Sequence, residues 1–219
     1  GSVGEVREAD IIYICVPTPM GVGGWIDLGI LKGVIGEVGS VGGVVVIRST
    51  VVPGTCKEII REYRIRVVYM PEFLTERWAG EDVERCKEYI IGVEREDVGE
   101  VIKCLRAVYG EIEYLRTDIK TAEMSKYVSN CILAGQVGIA NEMYRICKVY
   151  GCEYEVIRKF INRDENIGKN IRVPGPDGSV GYGGKCLPKD MNAIIRDVMD
   201  RVYIPRLLLE IDRINREER

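Results

Sequence analysis

No histidine occurs in the 219 residues. That absence removes Ser/His/Asp and Cys/His couples, histidine-ligated zinc and any imidazole proton shuttle near neutral pH. Acid–base work must then fall to carboxylates, lysine or water. The eight cysteines (Cys15, Cys56, Cys86, Cys104, Cys131, Cys147, Cys152, Cys186) contain no C-x-x-C pair, so neither a four-cysteine metal site nor a redox motif is spelled out, and no metal is expected. No apolar run approaches the roughly 18 residues of a membrane span. The lack of a secretory leader points to a reducing cytoplasm. With a net charge of -3 there is no basic surplus to displace counterions from phosphates, so nucleic acid is not an expected partner.

What is present fits a globular chain: 46% hydrophobic and 30% charged residues leave ample material for a core. Ala9 to Pro17 is a short apolar run stopped by Pro17-Thr18-Pro19, which predicts a buried parallel strand. Leu28, Leu31, Val34, Ile35 and Val38 recur at helical spacing behind Asp27, a plausible cap. Val44 to Thr50 and Ile65 to Tyr69 read as two more strands, with Pro53 opening a short helix over Thr55 to Tyr63. Glu88 to Val93 and Ile112 to Leu115 look like further strands around a helix from Val98 to Tyr109. Such alternation predicts an α/β domain with a mostly parallel sheet of about five strands, covered on both faces. Ligands bind such sheets at the carboxyl ends of the strands, here Pro17-Thr18-Pro19, Ser49-Thr50 and Pro71-Glu72.

The character changes at Thr117-Asp118. From Thr121 to Tyr150 no proline occurs, Gly151 supplies a stop, and an apolar stripe runs through Tyr127, Cys131, Ala134, Val137, Gly138, Met143, Ile146 and Val149. The small residues Ala134, Gly135, Gly138 and Ala140 would let another helix approach closely. A core spine and a dimer-forming spine are both open readings. Beyond it the pattern predicts a short helix (Glu155 to Ile161), a Gly- and Pro-rich loop (Asn162 to Gly184) and one final helix from about Pro188. The mixed charges of Asp212 to Arg219 read as a solvated, fraying end.

The most informative segment is Gly181-Tyr182-Gly183-Gly184-Lys185-Cys186-Leu187-Pro188-Lys189-Asp190. Its glycines let backbone approach a ligand, and Pro188 marks the first turn of a helix. A cysteine at a helix start beside Lys185 and Lys189 is in the setting that makes a nucleophile. The block matches G-[FY]-G-G-x-C-x-P-K-D in full. With it stand V-P-T-P (Val16 to Pro19), S-T-V-x-x-G-T (Ser49 to Thr55), P-E-F-L-x-E (Pro71 to Glu76) and A-E-x-x-K-x-x-x-N (Ala122, Glu123, Lys126, Asn130), followed by Asn141-Glu142. In these five blocks, in order and rough spacing, the chain resembles the UDP-glucose/GDP-mannose dehydrogenase family.

The resemblance implies an NAD-dependent, four-electron oxidation of a nucleotide sugar's C6 hydroxyl to a carboxylate. Cys186 looks like the nucleophile that forms a thiohemiacetal and then a thioester. Lys126 and Asn130, on one helix face, resemble an oxyanion-stabilising pair. Asp190 and Glu76 resemble the carboxylates of water activation, with Thr50 and Glu72 nearby. Val16, Pro17, Thr18, Ser49, Thr50, Glu76 and Lys189 fall at the implied cofactor side. Glu72, Phe73, Leu74, Lys126, Asn130, Tyr182 and Gly183 fall at the sugar side. The P-E-F-L stretch favours UDP-glucose, with GDP-mannose as runner-up. The fold implied is a partial Rossmann-like sheet over residues 1–117 followed by an all-α central domain over 118–219, with a homodimer through the helix at 121–150.

A G-x-G-x-x-G dinucleotide motif is missing, and the chain starts at what resembles the family's fourth strand. A counterpart of the family's C-terminal, base-gripping domain is missing too. Two hypotheses follow: an enzyme completed by a complementing chain, and a catalytically silent core that keeps the scaffold.

Overall fold

The computed structural model describes residues 9–38, 42–74, 88–94, 98–163, 167, 171, 173–201 and 204–218. Glu76 lies outside them. The chain forms two compact units, one of residues up to Gly21 with Ile26–Lys126, the other of Val22–Trp25 with Tyr127–Arg219.

The first unit is built on β1 (Ile11–Ile14), β2 (Val44–Ile47), β3 (Arg66–Tyr69), β4 (Glu88–Gly92) and β5 (Glu113–Thr117), in that spatial order. Pairings β1–β2, β2–β3 and β4–β5 are parallel, and β3–β4 is antiparallel through Tyr69 and Gly92. The mostly parallel α/β sheet expected from the pattern is therefore present. Helices α1 (Gly29–Val38), α2 (Thr55–Tyr63) and α3 (Gly99–Tyr109) connect β1 to β2, β2 to β3 and β4 to β5.

Alternation along the strands sends side chains to both faces. Val45, Ile47, Val67 and Tyr69 join Leu31 and Ile35 of α1 and Ile59 of α2 in one core. Val44, Val46, Val68 and Ile91 join Val101, Ile102 and Leu105 of α3 in another. Burial on both faces explains the unbroken apolar run of β2, each such side chain contributing about 1.5–3 kcal/mol. Asp27 starts α1 as expected, its Oδ1 accepting the Gly29 N–H at 2.7 Å.

Helix α4 (Ile119–Val149) starts two residues earlier than its spacing predicts. Asp118 is the reason: its carboxylate accepts the Thr121 N–H at 3.0 Å and the Thr121 hydroxyl at 2.5 Å. Where β4 meets this helix only glycine fits, because a Cβ on Gly92 would stand 2.6 Å from the Ala122 Cβ and 2.9 Å from the Ile119 Cα.

The second unit continues α4 and adds α5 (Tyr154–Ile161), α6 (Leu187–Asp200) and α7 (Arg206–Glu218). The single final helix expected from Pro188 onward is two. Pro205 cannot continue a helix, having no N–H, but it opens α7 by lending its carbonyl to the Leu209 N–H at 3.0 Å. Helix α7 also takes up the small-residue face of α4: a Cβ on Gly138 would lie 3.3 Å from Ile211 Cγ2, and one on Gly135 3.7 Å from Ile211 Cδ1. Those small residues thus serve the chain's own packing. The large residues Val128, Ile132, Ile139, Met143 and Ile146 of α4 stay exposed. The terminal charge run is solvated on one side only: Arg213, Arg216, Glu217 and Glu218 are exposed, while Asp212 and Asn215 are buried. Among the described residues no helix is long and apolar enough to cross a membrane.

Candidate functional site

In the first unit, the loops after β1 and β2 are stitched together by hydroxyls. Ser49 Oγ donates to the Val16 carbonyl at 2.7 Å, and Thr18 Oγ1 donates to the Thr50 carbonyl at 2.8 Å. Ser49 and Thr18 are buried, while Pro17 lies exposed and Val16 and Thr50 half-buried. Two of the three loops singled out from the sequence therefore form one linked edge at the carboxyl ends of adjacent parallel strands.

The third loop meets α4. Lys126, only 4% exposed, donates from Nζ to the Glu72 carbonyl at 2.7 Å and faces Glu72 Oε1 at 3.2 Å. Glu72 Oε2 accepts the Leu74 N–H at 2.7 Å, and the Lys126 ammonium sits 5.6 Å from the centre of the Phe73 ring. Burying a lysine charge demands compensation. Here carbonyl, carboxylate and ring share it, which holds a cation in place beside the loop of Glu72, Phe73 and Leu74. Such a group can polarise an oxygen or hold an oxyanion.

One turn before Lys126, Glu123 is fully buried. Its two oxygens accept the Gly54 N–H at 2.5 Å and the Cys56 N–H at 2.8 Å. These are orphan donors at the start of α2, which has no cap of its own there. Burial pushes the Glu123 carboxyl above its usual range, against the pull of the amides and Lys57. The Cys56 thiol is driven well up by burial and by this carboxylate.

In the second unit, Gly181 and Gly184 take φ values of 83° and 76°, backbone that side chains resist. Cys186 is exposed and occupies the N-cap of α6, with Pro188 in the first turn. Its carbonyl accepts the Asp190 N–H at 2.8 Å, and unpaired amides at a helix start favour negative charge. Asp190 is fully buried. It is met by the Asn130 amide of α4 and by Lys189 Nζ at 2.7 Å. Beside Asn130, the Cys131 thiol is pushed up to about 12 by burial and by Asp190, which keeps it in the unreactive thiol form near neutral pH.

Tyr182, expected at the sugar side, has its ring in the core of this unit with Ala134, Met191 and Ile211. Its hydroxyl reaches Asp212 Oδ1 at 3.3 Å; Gly183 beside it is half-buried. The sequence names Glu123 and Asn141 as motif residues without a role, and Asp212 and Asn215 fall in the run read there as a solvated end. A signal existed for the last two: they continue the helical spacing of Leu208 and Ile211 onto the buried face of α7.

Residues 2–113 match the model of the NAD binding domain of the UDP-glucose/GDP-mannose dehydrogenase family, and residues 120–217 match that family's central domain. NAD is the cofactor of the first of these domains. A UDP-glucose 6-dehydrogenase of Rickettsia conorii is 32% identical over 97% of this chain and 50% of its own length. Among solved structures, a UDP-glucose dehydrogenase from the hyperthermophilic archaeon Pyrobaculum islandicum superimposes with a TM-score of 0.86 at 28% identity, covering 99% of this chain and 52% of its own. A UDP-D-ManNAc dehydrogenase from Pyrococcus horikoshii gives 0.84 at 25% identity over 99% and 52%. This chain spans about half the length of the curated relatives it matches. With its NAD binding and central domain models matched over residues 2–113 and 120–217, the chain belongs to the UDP-glucose/GDP-mannose dehydrogenase family.

Proposed function

We propose that this chain carries the NAD-dependent oxidation of a nucleotide sugar's C6 hydroxyl to a carboxylate, with UDP-glucose ahead of GDP-mannose as substrate. The observation that carries the reading is the pairing of chemistry with burial: Cys186 exposed at a helix N-cap, and Lys126 buried with its charge held by Glu72 and Phe73. NAD, when bound, supplies the hydride acceptor for each of the two oxidations. The residues present fit it at the linked edge of Val16, Pro17, Thr18, Ser49 and Thr50, where buried hydroxyls fix the loops. By the family resemblance Lys189 and Glu76 are assigned to NAD as well.

In the first oxidation C6 loses a hydride and its hydroxyl a proton, giving an aldehyde. The Cys186 thiol then adds across the carbonyl: a C–S bond forms and a proton ends on oxygen, producing a thiohemiacetal. That carbon again bears a hydrogen able to leave as hydride, so the second oxidation yields a thioester. Water attacks, the C–S bond breaks, and carboxylate and thiol are released. Lys126 and Asn130 hold the oxygen where negative charge develops. By the family resemblance we assign Asp190 and Glu76 to activating water and taking its proton, and Thr50 and Glu72 to holding water or substrate. Glu72, Phe73 and Leu74 line the sugar, with the backbone at Tyr182 and Gly183. We further propose a homodimer through α4, supported by the exposed row Val128, Ile132, Ile139, Met143 and Ile146.

Calorimetric titration with NAD and with UDP-glucose, alongside an NADH assay, tests the reading. Binding of both, with turnover abolished by Cys186→Ser, is expected. Turnover that survives Cys186→Ser removes the thioester route. Silence in all three measurements removes activity from the isolated chain and returns the choice to a complementing chain or a silent core.

A further inference from the structure

We infer that Asn215, with Asn141 and Asp212, is a positioning residue that fixes the glycine-rich loop carrying Cys186. This rests on the reading of Cys186 as nucleophile.

The Asn215 side chain grips Tyr182 from both sides of its peptide frame. Its Oδ1 accepts the Tyr182 N–H at 2.6 Å, and its Nδ2 donates to the Tyr182 carbonyl at 3.1 Å. The amide reproduces a neighbouring strand's pairing with the one residue in the run Gly181 to Gly184 that has a side chain. Only a group that both donates and accepts does this at that reach. Next to it, the Gly181 N–H donates to Asn141 Oδ1 at 3.2 Å, while Asn141 Nδ2 is fixed on the Val137 carbonyl at 2.6 Å. Asn215 and Asn141 are both buried.

Asp212 extends the grip past Cys186. Its Oδ1 accepts the Tyr182 hydroxyl at 3.3 Å and Asn192 Nδ2 at 3.3 Å. Asn192 Nδ2 also donates to the Pro188 carbonyl at 2.9 Å, in the first turn of α6. Arg216 neutralises Asp212 through Oδ2. Cys186 therefore lies between two anchored points, Tyr182 before it and Pro188 after it, both tied to one face of α7. A segment with three glycines brings little packing of its own and the largest conformational freedom. Its shape has to be imposed from outside, and α7 imposes it while Ile211 seats that helix on Gly135 and Gly138 of α4.

The test compares the full chain with Asn215→Ala, Asn215→Asp and Asn141→Ala. Two quantities are read by mass spectrometry: deuterium uptake in the peptide over residues 181–186, and the iodoacetamide alkylation rate of Cys186 divided by that of Cys152, an exposed thiol of the same unit. A thiol held at a helix start is more reactive than a displaced one. Asn215→Ala is therefore expected to lower the ratio at least threefold and to speed uptake in the loop, with unchanged circular dichroism. Asn215→Asp keeps the acceptor for the Tyr182 N–H but turns an oxygen toward the Tyr182 carbonyl in place of the donor, so it too is expected to speed uptake in the loop. A folded Asn215→Ala with ratio and uptake both like the parent overturns the inference. If Asn215→Ala does not fold, the same two readouts in Asn141→Ala decide it, parent-like values again overturning it. Neither readout needs turnover, so the activity of Cys186→Ser judges the nucleophile separately.

Discussion

Replacing Glu123 by alanine takes away the acceptors that the Gly54 and Cys56 amides have in the fold. Cys56 is fully buried, so its orphaned N–H costs the upper part of the range of about 1–3 kcal/mol for a buried unsatisfied donor. Gly54 is half-buried and water can reach it, which places its loss near the lower end. The sum is a destabilisation of about 3–4 kcal/mol. Glu123→Gln keeps one acceptor and turns an amide group toward the other N–H, so about 1–2 kcal/mol is expected. The pH dependence separates charge from packing. Burial raises the Glu123 carboxyl in the fold above its unfolded value, so its contribution is complete below the ordinary carboxylate range and is lost as pH rises through the raised value. The advantage of Glu over Gln should therefore shrink as pH rises from about 4 toward 8. Urea unfolding followed by circular dichroism, compared at equal m, measures both. An alanine variant within about 0.5 kcal/mol of the parent, less than one lost buried bond, or a glutamine variant that tracks the parent at every pH, refutes the reasoning.

Lys126→Met leaves the Glu72 carboxylate and carbonyl without the ammonium; stability should fall by about 1–2 kcal/mol because Glu72 is only half-buried, and kcat should fall by about 10²–10³ if the lysine holds the oxyanion. A parent-like kcat in steady-state assays excludes that role. Gly92→Ala drives a methyl into Ala122 and Ile119 backbone and should cost about 1–3 kcal/mol, read as a fall in Tm by calorimetry. Cys131 should resist iodoacetamide at about pH 8 in the folded chain, since thiolate is the reactive form, and should remain unreactive in Asp190→Asn because burial is the larger cause of its raised value; ready alkylation in that variant would show the carboxylate to be dominant.

The strands and most helices were legible because burial on both faces writes unbroken apolar runs such as Val44–Ile47, and because caps such as Asp27 act through neighbours in sequence. Cys186, Lys126 and Asn130 were legible as motif residues, their spacing being set by local structure. What escaped was decided by distant partners. Glu123 reads as an ordinary helix acid until the start of α2, 67 residues away from it at Cys56, is brought against it. Asp212 and Asn215 sit in a run whose alternating charges look solvated. The arginine that makes the run look so, Arg216, is the one that neutralises Asp212. Pro205, which stands at the start of the last helix, is a helix breaker readable in the sequence, yet the helix expected from Pro188 onward ran through it.

At the far side of the sheet, β5 has β4 as its one neighbour among the described strands, and its residues Glu113 to Arg116 are exposed, Leu115 at 65%. An open strand edge with apolar side chains is a template on which another chain can add a strand. Each face of β5 sets a charge two residues from an apolar group: Glu113 with Leu115, Arg116 with Tyr114. Repulsion between copies stacked in register at those positions opposes ladder growth, and salt weakens it. Addition of a strand to this edge is thereby expected to depend on ionic strength.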